Sequence, residues 1–258
     1  MKSYTIHLIR HGITEGNLLG QYIGRTDSPL AAEGIRALQD LKEKYEYPEA
    51  QAYYCSPMRR CIDTLRILYP EAEPVLVDGF RECDFGDWEG KTAKQLAEED
   101  PSFLQWMESS HSVAPPNGES TGVLVQRTCA AFENLVEELM RSGTTSAVVV
   151  AHGGTLMSIL SAYGLPRASF YDWMTENGCG YSLRITPGLW MRSRGVRHHP
   201  GRTQRKGRRR KIHHRPSARG CGPDLSQQRP TIGWKKCAAG GLTFSERNVN
   251  INTIEKRR

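Results

Sequence analysis

The first readable element is Tyr4-Thr5-Ile6-His7-Leu8-Ile9, an Ile- and Leu-rich run that predicts a buried strand. A helix is predicted over about 31–45, with Ile35, Leu38, Leu41 and Tyr45 on one face. A short strand near 51–54, a helix over 58–68 and a strand at Pro74–Val77 follow. Residues 92–108 have helical spacing, with Pro101 marking a break or a new first turn. Glu119 and Ser120 introduce a long helix to about Arg141, with Val123, Val125, Phe132, Leu135, Val136 and Leu139 as its apolar positions. Residues 146–151 are almost wholly β-branched and predict a central strand covered on both faces. A helix over 154–163 and a strand at 181–185 complete the unit, and no internal repeat is visible. Strands separated by helices predict an α/β fold, a mostly parallel central sheet with helices on both faces.

Two of these strands end in the same way. The first delivers Arg10-His11 into Gly12, and the strand at 146–151 runs into His152-Gly153. The carboxyl edge of an open α/β sheet is where such folds bind ligands. Arginine matches phosphate with a rigid fork, and an imidazole nitrogen can act as a nucleophile. A single Arg-His pair would read more simply as strand-end polarity. Two further segments change that: Cys55-Ser56-Pro57-Met58-Arg59-Arg60-Cys61-Ile62-Asp63-Thr64 and Arg81-Glu82-Cys83-Asp84-Phe85-Gly86-Asp87-Trp88-Glu89-Gly90.

Taken in order, these segments resemble the histidine phosphatase superfamily, which includes the phosphoglycerate mutase-like enzymes. The resemblance covers roughly residues 1–190. It implies that His11 is the nucleophile that becomes phosphohistidine, and that Arg10, Arg60 and His152 cradle the phosphoryl group. Arg60 is selected over Arg59 because it stands four residues after Ser56. Glu82, four residues before Gly86, is implied as the proton donor, with Asp84, Asp87 and Glu89 as competing carboxylates. Asn17 and Gly153 are implied in substrate binding; from sequence alone a loop-capping role for Asn17 is almost as well favoured, and the resemblance raises the phosphate reading. Thr14 and Ser56 are further hydroxyls near the same edge.

The implied substrate is a small phosphomonoester and the implied acceptor is water. Mutases of the superfamily usually carry extra sequence before the second His-Gly. Here 69 residues separate Glu82 from His152, and the Phe-Gly-Asp-Trp-Glu-Gly form is more like the phosphatase branch that includes α-ribazole phosphatase. Mutase-type transfer is the alternative. No HExxH, Cys/His cluster or P-loop appears, so neither a metal nor a cofactor is expected.

Charge divides the chain. Residues 1–194 carry 18 Lys+Arg against 25 Asp+Glu, whereas residues 195–258 carry 17 against 3. From Gly195 onward apolar periodicity is lost, which predicts a basic, disordered tail outside a 1–194 domain. The favoured explanation is a reading frame that leaves its natural course near Arg194, where the family would normally finish an edge strand. A solvated tail ranks second and nucleic-acid binding through counterion release third. Seven cysteines without CxxC spacing, no signal-like start and no apolar run of about 18 residues lead to the expectation of a cytoplasmic protein without a membrane span. Oligomeric state is not encoded legibly.

Overall fold

The computed structural model describes residues 2–109, 112–193 and 196–200. Its centre is a seven-stranded sheet in the order β3-β2-β4-β1-β6-β7-β5. The strands are β1 Tyr4–Arg10, β2 Ala52–Cys55, β3 Val75–Leu76, β4 Ser146–Ala151, β5 Gly164–Leu165, β6 Gly180–Ile185 and β7 Val196–Pro200. Strands β1, β4, β2 and β3 run parallel, and β6 is antiparallel to both β1 and β7. The expected α/β architecture with a mostly parallel sheet is therefore found.

Side-chain alternation explains the helices on both faces. Ala147, Val149 and Ala151 of β4 pack with Ile6 and Leu8 of β1 against helices α6 (Thr121–Ser142) and α7 (Gly153–Tyr163). Val148 and Val150 pack with Ile9 on the opposite face, against α2 (Ala32–Lys44) and α3 (Arg59–Leu68). All five residues Ala147–Ala151 are completely buried. Full burial of each valine contributes about 1.5–3 kcal/mol, so β4 anchors the sheet. A third cluster, Trp88, Leu96, Phe103 and Trp106, is covered by Tyr22 and Phe85.

Several local expectations are refined. Residues 92–108 form two helices, α4 (Ala93–Glu99) and α5 (Pro101–Ser109), because Asp100 breaks the run between them. Its carboxylate accepts bonds from the Ser102 N–H at 2.9 Å and from the Trp88 indole N–H at 2.7 Å. At the start of α6, Ser120 caps the Val123 N–H, and the resulting phase buries Leu124 and leaves Val123 half exposed. The place expected to finish an edge strand is instead helix α8 (Pro187–Ser193), which brings Trp190 against Phe132 and Tyr163. The sheet then continues past the expected boundary at 194, through β7. The basic segment from 201 onward lies outside the described residues. Among the described residues no helix is long and apolar enough to cross a membrane.

Candidate active site

Register brings the two His-Gly segments together. Parallel pairing sets Ile9 opposite Val150 and Arg10 opposite Ala151, so His11 and His152 leave the sheet side by side. Their ring centroids are 5.2 Å apart, edge to face. The next strand, β2, pairs Cys55 with Val150 and so delivers Ser56 to the same edge. Ser56 Oγ lies 2.8 Å from His152 Nε2.

Each imidazole is held in a defined tautomer. His11 Nδ1 lies 2.7 Å from the Gly12 carbonyl, which can only accept, so Nδ1 carries the proton and Nε2 keeps its lone pair. His152 Nδ1 accepts from the Arg60 Nε–H at 3.2 Å, which leaves its proton on Nε2, directed at Ser56. Both rings are driven well below the ordinary histidine range, first by burial and next by the positive charge of Arg60. Arg10 adds to this effect on both, and the Gly12 carbonyl opposes it for His11. Neutral imidazoles result, as nucleophilic chemistry requires.

Arg60 stands in the first turn of α3 and is 1% exposed. Its Nη1 and Nη2 donate to the carbonyls of Thr26 (2.9 Å) and Gly24 (2.8 Å). Arg59, by contrast, points outward and pairs with Asp63. Arg10 donates from Nη1 to the Thr175 carbonyl at 2.6 Å, while its buried Nε has no partner. Neither Arg10 nor Arg60 has a carboxylate within 4.0 Å among the described ion pairs. Arg60 is a buried cation and Arg10 a part-buried one within the field of the Glu82 carboxylate; set beside neutral rings, they make a well suited to an anion.

Glu82 closes the other side. Its Oε2 accepts the Gly154 N–H at 3.0 Å, at the start of α7, and its Oε1 accepts the Cys83 N–H at 2.9 Å. A Cβ on Gly154 would stand 2.2 Å from Glu82 Oε1, so only glycine admits the carboxylate there. Gly153, the first residue of α7, has its Cα beside the Arg10 guanidinium. The structure thus brings Arg10, His11, Arg60, Glu82, His152 and Gly153 to one sheet edge. Asn17 is nearby but committed differently: its Oδ1 accepts from the Thr14 N–H and hydroxyl, capping helix α1 (Glu15–Leu18).

Supporting residues were harder to foresee. Glu89, grouped with the competing carboxylates, accepts from the N–H groups of Gly24, Arg25 and Thr26 and from the Thr26 hydroxyl. It thereby shapes the loop whose carbonyls hold Arg60. Asn177 donates to the His11 carbonyl at 2.9 Å and carries no sequence signal of its own. Thr64 accepts the Gly12 N–H and donates to the Arg60 carbonyl; its position one helical turn after Arg60 was the available clue. Cys61 Sγ lies 3.5 Å from His152 Nε2, but burial pushes that thiol well up, so it is not a competing thiolate. Among the described residues no group of three or more His, Cys, Asp or Glu is arranged to hold a metal ion.

An open α/β sheet with paired imidazoles and two guanidinium groups at its carboxyl edge is an arrangement suited to a phosphoryl group. Residues 6–194 match the histidine phosphatase superfamily (branch 1), and the chain belongs to that family. It is 27% identical over 187 residues to an adenosylcobalamin/alpha-ribazole phosphatase of Salmonella typhimurium, covering 70% of this chain and 91% of the relative. It is 27% identical over 180 residues to phosphoserine phosphatase 1 of Hydrogenobacter thermophilus, covering 68% and 83%. The crystal structure of the alpha-ribazole phosphatase from Shigella flexneri superimposes with a TM-score of 0.63 at 27% identity, covering 71% of this chain and 91% of that one.

Proposed function

We propose that this protein hydrolyses a small phosphomonoester through a phosphohistidine formed on His11. The observation that carries this reading is the pair of guanidinium groups, buried Arg60 and part-buried Arg10, neither in an ion pair within 4.0 Å, whose charge acts on the neutral His11 ring. Charge on a transferring phosphoryl group spreads over its equatorial oxygens, and fixed cationic donors there lower the barrier most. Arg10, Arg60, His152 and the Gly153 N–H would bind those oxygens, with the Asn17 amide N–H as a further donor.

In the first step the His11 Nε2 lone pair forms a bond to phosphorus and the ester P–O bond breaks. The leaving oxygen takes the proton of Glu82. In the second step a water oxygen attacks phosphorus, its proton passes to the Glu82 carboxylate, and the N–P electron pair returns to His11. Inorganic phosphate leaves, and no cofactor enters the balance. Water rather than a second phosphorylated substrate as acceptor is supported by the phosphatase relatives and by the compact stretch from Glu82 to His152.

Phosphate release from 4-nitrophenyl phosphate by the wild type, compared with His11→Ala, tests the proposal. The wild type should turn over and yield an acid-labile, base-stable phosphoenzyme on rapid quenching. Equal rates for the two proteins would refute the assignment of His11. A screen of alpha-ribazole phosphate, phosphoserine, sugar phosphates and phosphoglycerates would then identify the alcohol.

A further inference from the structure

Residues 81–85, which carry Glu82, belong to no helix or strand. A general acid needs its carboxyl held to within about 0.5 Å, and irregular backbone does not supply that by itself. The support comes from α6. Arg127 donates from Nη2 to the Glu82 carbonyl at 2.8 Å, and from Nη1 to the carbonyls of Arg81 (2.9 Å) and Gly79 (3.2 Å). Its Nε and Nη2 also grip both oxygens of Glu119. These contacts engage all five N–H donors of the guanidinium.

Glu119 completes the clamp from the other side. Its Oε1 accepts the Asp84 N–H at 3.0 Å, and its own N–H donates to the Asp84 carbonyl at 2.9 Å. One ion pair therefore binds peptide groups from Gly79 to Asp84, with Glu82 in the middle. The pair is sheltered, with side chains 27% and 13% exposed, unlike a surface bridge whose contribution is small. The Glu82 carboxylate makes its own bonds to backbone N–H groups of Cys83 and Gly154, so a shift of the 81–84 backbone moves it relative to α7.

We infer that Arg127, locked by Glu119, is the positioning residue for the proton donor Glu82. This rests on the reading of Glu82 given above. Arg127 touches no reacting atom; its function is to fix where the proton is delivered. Its loss should therefore penalise reactions in proportion to how much the leaving group needs that proton.

Phenyl phosphate and 4-nitrophenyl phosphate have similar shapes, but phenolate is the poorer leaving group and depends more on protonation. For Arg127→Met, kcat/KM, which reports formation of the phosphohistidine, should fall at least about tenfold more on phenyl phosphate than on 4-nitrophenyl phosphate. Arg127→Lys should lie between this variant and wild type. Because both substrates are measured on one preparation, a smaller folded fraction cancels from the ratio. Equal losses in kcat/KM on the two substrates would overturn the inference. Glu82→Gln is the reference. If it discriminates between the substrates and Arg127→Met does not, the inference alone fails. If Glu82→Gln shows no discrimination, the proton-donor reading and this inference fall together.

Discussion

The Nε–H of Arg60 donates to Nδ1 of His152 at 3.2 Å, and this contact joins the charge of the site to its geometry. It orients a guanidinium that is also tied to Gly24 and Thr26, and it forces the proton of His152 onto Nε2. Loss of Arg60 therefore removes a phosphate-binding cation and frees the ring tautomer at once. Arg60→Met should lower kcat by about 10²–10³-fold, as for removal of a preorganised charge-stabilising donor. Arg60→Lys should recover little of this, since an ammonium cannot reach the imidazole and two carbonyls in one plane. Steady-state kinetics with 4-nitrophenyl phosphate check both values. The neighbouring Arg59→Met, at an exposed position paired with Asp63, should remain close to wild type.

The depressed proton affinities of His11 and His152 have a consequence for stability. Burial and nearby guanidinium charge hold both rings neutral in the folded state, below the ordinary value of 6.5. In the unfolded chain they protonate near 6.5. Between that value and the lower folded values, the unfolded state binds more protons, so stability is fully present above about pH 6.5 and is lost as pH falls. The slope is at most about 1.4 kcal/mol per pH unit for each histidine. Urea unfolding between pH 5 and 8 should show a shallower acid loss for His11→Gln than for wild type. Nitrogen-15 spectra of the free protein should show neutral tautomers at pH 6, with the proton on Nδ1 of His11 and on Nε2 of His152.

Gly154 and Gly153 are adjacent at the start of α7 but differ in what surrounds them. A methyl group on Gly154 would stand 2.2 Å from Glu82 Oε1, whereas one on Gly153 would meet the Arg10 guanidinium at 3.5 Å, an ordinary contact. Gly154→Ala should displace the carboxylate and lower kcat by about 10²-fold, within the range for loss of general acid catalysis. Gly153→Ala should keep kcat within about tenfold of wild type. Neither glycine has the positive φ that only glycine tolerates easily, so both variants should keep the wild-type circular dichroism spectrum. Equal activity of the two variants would contradict this placement of Glu82.

How much of this was legible depends on whether the signal was local. The apolar run of β1 and the β-branched run of β4 were visible because both strands are buried in the sheet centre. With them came His11 and His152, since each follows its strand directly. Arg60 was distinguishable from Arg59 by its spacing from Ser56, and in the structure Arg60 is buried while Arg59 is exposed. Glu89, Arg127 and Asn177 were not legible as site supports, because the site segments they hold lie 45–166 residues away in the chain. Asn17 shows a different ambiguity: one amide side chain can cap α1 through its oxygen and still offer an N–H, and spacing alone does not separate the two roles.

The far end of the folded unit was the least legible part, and Trp190 explains how it should behave. Its side chain is 1% exposed, 6.0 Å from the Phe132 ring and 5.3 Å from the Tyr163 ring, which ties α8 to α6 and α7. Truncation of a buried tryptophan costs about 3–5 kcal/mol. Trp190→Ala should therefore lower the denaturation midpoint strongly while leaving KM of the folded fraction unchanged. A chain ending at Thr186 removes α8 and β7 together and exposes both the Phe132–Tyr163 surface and the edge of β6, so it should aggregate or unfold. A chain ending after Pro200 retains these contacts and should keep the kcat and midpoint of the 258-residue protein. If it loses activity while remaining folded, residues 201–258 contribute to the reaction and the assignment of catalysis to the sheet edge is incomplete.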